Sequence, residues 1–324
     1  MTSAIKFEHV NKTFVNKVVV NDLNLDIKQG ELFVLVGNSG SGKTTSIKMI
    51  NRLEDPSTGQ ILVNERPTTD YNVQKLRWKI GYVLQQIALF PNMTVAKNIT
   101  LIPEIQGAKA DLAEMAASLL EKVGLNPQEY AHRYPHELSG GEQQRIGILR
   151  AIASKPSIVL MDEPFSALDP LSRANLQELV INLHKQLHNT ILFVTHDMNE
   201  ALHLADRIGV MRDGKLLQVD QPQEILRHPA NNFVRDFFKG SLGNNLYETP
   251  LKQAALFNEF KQTDSNSLVA MPVININEKI AALLELLNRQ NEVVVQTDNG
   301  EYLGFVDRQW LINYLNNINS LNRN

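Results

Sequence analysis

The 324-residue chain contains no cysteine, which excludes a disulfide framework, thiolate metal sites and thiol catalysis. Nowhere does it approach the run of roughly 18 apolar residues that a membrane-spanning helix needs. Its first residues, Met1-Thr-Ser-Ala-Ile-Lys-Phe-Glu-His-Val, lack the basic start and apolar stretch of a secretory leader. The sequence therefore predicts a chain that stays in the cytoplasm and works at a membrane only through a partner that crosses it. Charge of one sign is missing as well. Lys and Arg number 32 against 35 acidic residues, a net of -3, so there is no broad cationic field for nucleic acid. Low-complexity tracts and fixed-period repeats are also absent. What is present is an ordinary globular composition, 43% hydrophobic, enough to fill a large core, over a length that suits about two domains of roughly 150 residues.

From Ile5 to Val36 the pattern reads as short strands with polar turns. Glu31-Leu32-Phe33-Val34-Leu35-Val36 is a nearly continuous apolar run, as expected of a central strand buried on both faces. It leads straight into Gly37-Asn38-Ser39-Gly40-Ser41-Gly42-Lys43-Thr44-Thr45, after which Ser46 to Leu53 reads as helix. Two more apolar strands follow, Ile158 to Met161 ending on Asp162-Glu163, and Thr190 to Thr195 ending on His196. Strands of this kind separated by helices predict an α/β fold with a parallel sheet and its chemistry at the strand C-termini. Between them, Ala108 to Val123 and Glu142 to Ser154 are rich in helix formers, which predicts a helical subdomain at about 92–154 inserted in the core.

Gly37-x4-Gly42-Lys43-Thr44 is a phosphate-binding loop in the context that gives the pattern meaning, between a buried strand and a helix. Its glycines let successive N–H groups curl around phosphate oxygens, and the helix N-terminus adds partial positive charge. Asn38, Ser39, Gly40, Ser41, Gly42, Lys43, Thr44 and Thr45 form the candidate cofactor-binding run. Lys43 would reach the β- and γ-phosphates and Thr44 would offer its hydroxyl to Mg2+. Asp162 could hold that ion through water, and Glu163 could polarise the attacking water. The bland readings are a Gly/Ser turn with a solvated lysine and an acidic pair that merely closes a strand. Each loses ground because both patterns occur in one chain.

Leu138-Ser139-Gly140-Gly141-Glu142-Gln143-Gln144-Arg145 is similar to the signature sequence of ATP-binding cassette (ABC) ATPases, and it lies shortly before the Asp-Glu strand, as theirs does. Locally, Ser139 with Glu142 three residues on is a capping box, which leaves the paired glycines unexplained. The resemblance implies a P-loop ATPase core over about residues 5–238, with ATP and Mg2+ as cofactors. It implies that two cassettes pack head to tail, so that Ser139, Gly140 and Gly141 of one copy close over ATP held by Lys43 of the other. Phe14 matches the aromatic position that stacks on adenine, with a core phenylalanine as the competing reading. Gln85 matches the glutamine that links nucleotide and metal to the membrane partner, and Gln86 beside it competes for that place. Ser166-Ala167-Leu168-Asp169 resembles the loop that crosses the dimer seam, and His196 matches the switch histidine at the γ-phosphate. Transmembrane permease subunits and a solute-binding protein are the further partners implied, with the chain peripheral on the cytoplasmic side of the membrane.

Only 95 positions separate Lys43 from Leu138, too few for the coiled coils of chromosome-maintenance ATPases. A nucleotide kinase would share the loop and leave Glu163 and the signature without a purpose. Ile47 to Leu53 and Ile80 to Pro91 resemble the corresponding stretches of importers for glycine betaine, carnitine and choline. Import of another solute, such as an amino acid, and a non-transport regulatory ATPase stay open as alternatives, because none of these residues touches a solute.

Beyond the cassette, residues 239–267 read as a linker, opening with Lys239-Gly240-Ser241-Leu242-Gly243-Asn244-Asn245. Residues 268–324 read as a small α+β unit. Ile280, Leu283, Leu284 and Leu287 recur at helical spacing with Asn277 as N-cap, and Asp298-Asn299-Gly300 signals a hairpin. Asp307 caps a final helix through Leu315 on this reading. The pattern resembles one cystathionine-β-synthase (CBS) repeat, whose uncovered face would pair with its counterpart in a second copy, with a short structural appendage as the competing reading. Asp307 and Trp310 stand where such repeats carry nucleotide-binding residues, which speaks against a nucleotide there. Residues 241–324 hold six basic and nine acidic side chains, a difference of -3, the wrong sign for simple attraction to anionic lipid.

Overall fold

Two antiparallel strands of 12 residues open the chain, β1 (Ser3–Phe14) and β2 (Lys17–Lys28). The computed structural model describes residues 2–109, 111–166, 168–239, 249–262 and 271–323, with side chains to residue 317. The polar residues that read as turns lie within these long strands. Register shifts between Phe7 and Val10 and between Val10 and Lys12 absorb them without ending the pairing. Next come the fully buried β3 (Leu32–Gly37), then α1 (Lys43–Ile50), β4 (Thr58–Val63) and β5 (Arg66–Pro67). One antiparallel sheet has the order β2-β1-β4-β5.

After α2 (Val73–Trp78) and β6 (Ile80–Val83) the chain leaves the sheet for four helices, α3 (Val95–Ile105), α4 (Leu112–Lys122), α5 (Pro127–Tyr130) and α6 (Gly140–Ile152). It returns through β7 (Ile158–Asp162), α7 (Pro170–Leu187), β8 (Thr190–Thr195), α8 (Met198–Leu204), β9 (Arg207–Arg212) and β10 (Lys215–Asp220). The six-stranded sheet has the order β10-β9-β3-β8-β7-β6, and its strands from β9 to β6 pair in parallel. A core of Ile5, Phe7, Leu23 and Ile27 from the first sheet with Phe33, Leu35, Leu160 and Leu192 from the second holds the two sheets together. Each such side chain contributes about 1.5–3 kcal/mol on full burial.

The parallel register is what assembles the site. Val36 lies opposite Thr195, Asp162 opposite Val194, and Val83 opposite Met161. The segments following β3, β7, β8 and β6 therefore leave the sheet along one edge, where parallel strands deliver their chemistry. Several element ends differ from the sequence expectation. The helix after the loop starts at Lys43 and not Ser46, because Gly42 at φ 102° turns the chain directly into it. Helix α4 starts at Leu112 with Asp111 as its cap, and α6 starts at Gly140.

A second compact unit begins at Asp220, so the boundary falls before 238, and the two helices α9 (Pro222–Arg227) and α10 (Asn232–Lys239) group with it. It continues with α11 (Leu251–Ala254), β11 (Val273–Asn275), α12 (Ile280–Arg289), β12 (Glu292–Gln296), β13 (Tyr302–Asp307) and α13 (Arg308–Arg323). The expected hairpin is β12–β13, and β11 adds a parallel strand that the sequence reading lacks. Of the expected linker, 240–248 and 263–267 lie outside the described residues. Residues 249–262 are not linker-like: Leu251, Ala254 and Phe257 are buried. Phe257 meets Tyr314, and Phe260 stacks on Trp310. Lys279 and not Asn277 is the N-cap of α12, because the Asn277 amide donates instead to Asp298 across the turn, at 3.0 Å. Asp307 accepts from the Trp310 N–H at 2.8 Å, and its helix runs past Leu315 to Arg323.

Candidate functional site

The loop from Gly37 to Gly42 is shaped by close backbone approaches. A Cβ on Gly37 would lie 2.2 Å from the Met211 carbonyl oxygen, and one on Gly42 would lie 2.6 Å from that of Val19. Lys43, the first residue of α1, is buried, and its ammonium donates to the carbonyls of Gly37 at 2.6 Å and Asn38 at 3.1 Å. Burial pushes its pKa down, opposed by the charges of Glu163 and Asp162. Ser41 Oγ is buried and finds no partner in the chain, and the first turn of α1 carries no acidic residue. A buried cation, an orphaned hydroxyl and a bare helix N-terminus fit a phosphate group.

Thr44 Oγ1 donates to Asp162 Oδ1 at 2.9 Å, across 118 positions of sequence. Burial pushes the Asp162 carboxyl up; the Thr44 hydrogen bond opposes this, while the neighbouring Glu163 charge adds to it. A hydroxyl and a buried carboxylate side by side form an all-oxygen donor pair of the kind Mg2+ prefers. Tyr82, which no pattern in the sequence singles out, stands beside Asp162, and burial with that carboxylate raises its hydroxyl pKa well above the ordinary value.

Glu163 leaves β7 at φ 45°, a left-handed conformation costly for a residue with a side chain. Its N–H donates to the Val194 carbonyl at 2.9 Å, which fixes the turn. His196 Nδ1 lies 2.9 Å from Glu163 Oε2. An ionised carboxylate only accepts, so the imidazole donates through Nδ1. The two residues, read separately in the sequence, form one unit. Gln85 and Gln86 follow β6 on the same sheet edge, and both are exposed. Phe14 ends β1 with an exposed ring under the Lys12 ammonium, 4.6 Å from the centroid, so it is not a core residue.

Ser139, Gly140 and Gly141 open α6, with the expected capping box in place. Ser139 and Gly141 border a cavity of about 280 Å³ shared with Tyr130, Glu142, Arg145 and Ser172, and no residue of the phosphate loop, β7 or His196 lines it. Thr45 lies in α1, and Asp169 caps α7 by accepting from the Ser172 N–H at 3.0 Å. Ala167 of the same loop lies outside the described residues. Asn98 and Arg150 were invisible as site-supporting residues. Asn98 is fully buried and bonds the backbone of Phe90, Met93 and Thr94, and Arg150 donates to the Ala88 carbonyl at 2.6 Å.

A phosphate cradle on a parallel sheet, an acidic pair at the next strand end and a second glycine-led helix in an inserted subdomain define an ATP-hydrolysing cassette. Residues 20–166 match the ABC transporter family, and the chain belongs to the ATPases of that family. It is similar to the carnitine transport ATP-binding protein OpuCA of Listeria monocytogenes, 45% identical over 306 residues that make up 94% of this chain and 75% of that protein. It is also similar to the glycine betaine/carnitine/choline transport ATP-binding protein OpuCA of Bacillus subtilis, 51% identical over 72% of this chain and 62% of that protein. A dimeric, post-hydrolysis structure of the ATP-binding cassette MJ0796 with ADP and Pi aligns with a TM-score of 0.61 at 32% identity, covering 67% of this chain and 98% of that one. Among the described residues no helix is long and apolar enough to cross a membrane.

Proposed function

We propose that this chain energises an importer of quaternary-ammonium osmoprotectants, glycine betaine, carnitine and choline, by hydrolysing ATP as a pair of copies. The pair would sit at the cytoplasmic face of transmembrane permease subunits, served by a solute-binding protein. The observation that carries the ATPase mechanism is the meeting of Thr44 with Asp162 and of Glu163 with His196 on the sheet edge that begins with Lys43. Residues Asn38 to Thr45 would hold the phosphate chain, and Phe14 would stack on the adenine. Thr44, Asp162 and Gln85 would hold Mg2+, which supplies neutralisation of phosphate charge when bound. Glu163 takes a proton from water, and His196 holds its carboxylate in position.

Ser139, Gly140, Gly141 and Asp169 would act on ATP held by the other copy. Support comes from the signature pocket, whose lining contains nothing of the chain's own phosphate loop. The solute class follows from the names of the relatives.

Glu163→Gln is expected to keep ATP binding while turnover falls by about 10²–10⁴. Hydrolysis at the wild-type rate would remove Glu163 from its role. Uptake of labelled choline or carnitine by vesicles holding the whole complex tests the solute, and transport of an amino acid in its place overturns that assignment.

A further inference from the structure

The helix N-termini of α1 and α6 both follow glycine-containing segments read as phosphate-binding, and they differ in one respect. The first turn of α1 has no acid, whereas the first turn of α6 carries Glu142. Both oxygens of that carboxylate are engaged. Oε2 accepts from the Ser139 N–H at 2.7 Å and from the Ser139 hydroxyl at 2.8 Å. Oε1 accepts from the Tyr130 hydroxyl at 2.6 Å. The reverse half of the capping box, from the Glu142 N–H to Ser139 Oγ, is long at 3.4 Å. The Ser139 hydroxyl therefore serves chiefly as a donor to Glu142, and its proton is not available to a phosphate. Tyr130 is itself held from its ring face, with the Arg133 guanidinium 4.4 Å from the centroid. The Tyr130 hydrogen bond holds the Glu142 carboxyl below the usual range, against a smaller opposing effect of burial.

A carboxylate in this place does what a bound phosphate would do. It takes the serine hydroxyl, takes a backbone N–H and cancels part of the positive end of the helix. We infer that Glu142, clamped by Tyr130, is a resident substitute for phosphate at Ser139 and sets how much ATP is needed to draw two copies together. The inference rests on the reading that Ser139 meets ATP of a second copy. Closure then requires the Ser139 hydroxyl to change acceptor and the carboxylate to turn away. The cavity of about 280 Å³ beside Tyr130, Glu142 and Arg145 gives it room. Glu142 and Tyr130 are positioning residues on this account, since neither donates to the nucleotide.

The test uses the full chain carrying Glu163→Gln, with dimerisation followed by light scattering as ATP is added. Glu142→Gln keeps the shape and removes the charge, and Tyr130→Phe keeps the ring and frees the carboxylate. Both are expected to lower the ATP concentration at half-dimerisation, Glu142→Gln by about three- to tenfold, on the scale of a charge at a helix end, and Tyr130→Phe by less. In the Glu163-intact chain the half-saturating ATP concentration should fall more than the maximal rate changes, while binding of a fluorescent ATP analogue to the isolated monomer stays where it was. An unchanged or raised ATP requirement in both variants overturns the inference and leaves Glu142 a helix cap only. If the Glu163→Gln chain fails to dimerise at any ATP concentration, the composite-site reading fails instead.

Discussion

Asp162 sits where folding alone would not put a carboxylate. It is buried, and its ionised form is disfavoured by burial and by Glu163 next in sequence. Because its pKa is raised in the folded chain, the cost is absent below the ordinary carboxyl pKa and sets in as pH rises through the raised value. Asp162→Asn keeps an acceptor for Thr44 and removes the charge at every pH. The nucleotide-free protein should then melt roughly 2–6 °C higher, while hydrolysis is lost, as scanning calorimetry and a phosphate-release assay would show. A lower melting temperature would mean that the ionised carboxylate stabilises the fold. At this scale the sequence was informative wherever chemistry is written in neighbouring residues: Lys43 after its glycines, and Glu163 after Asp162. It was silent on Tyr82 and Tyr130, whose roles depend on a carboxylate brought near by folding.

Among the elements, helix α3 shows how a residue without any motif can organise a functional segment. Asn98 is wholly buried and ties down residues 90–94 through four hydrogen bonds, just downstream of Gln85. Helix α6 reaches Ala88, just before that stretch, through Arg150, while its other end presents Ser139. Asn98→Ala removes the partner of the Phe90 N–H and of the Met93 carbonyl and should cost about 1–3 kcal/mol. Urea unfolding would measure it, with faster amide exchange over 88–94; a change within error would show that water replaces the amide without penalty. Helix and strand types were largely legible here, since apolar spacing and caps are local. The ends of α1 and α12 were misread for reasons that are also local in effect but distant in cause. A left-handed Gly42 starts one helix early, and Asp298 draws Asn277 away from the other.

For the molecule as a whole, the proposed composite site makes a prediction that no single chain can satisfy. A Lys43→Ala copy and a Ser139→Ala copy each spoil both sites of their own homodimer. In the mixed dimer, Lys43 of the second meets Ser139 of the first, so one site is intact and hydrolysis should reappear on mixing. A mixture no more active than its components would end the head-to-tail arrangement. The second unit revises an expectation at this scale too. Residues 249–262, expected as linker, instead bring Phe257 against Tyr314 and Phe260 against Trp310 within their own unit.

By itself the sequence determined the motifs and their order: a phosphate loop after one buried strand, an acidic pair after another, a histidine after a third and a signature between them. These are short-range patterns, and short-range geometry follows from the residues involved. Tertiary structure alone decided that Thr44 touches Asp162, that His196 holds Glu163 and that Glu142 answers to Tyr130. It also decided that residues 249–262 fold onto the second unit. Such contacts depend on parallel register and on packing between segments far apart in the chain, where no local pattern is under a constraint that could reveal them.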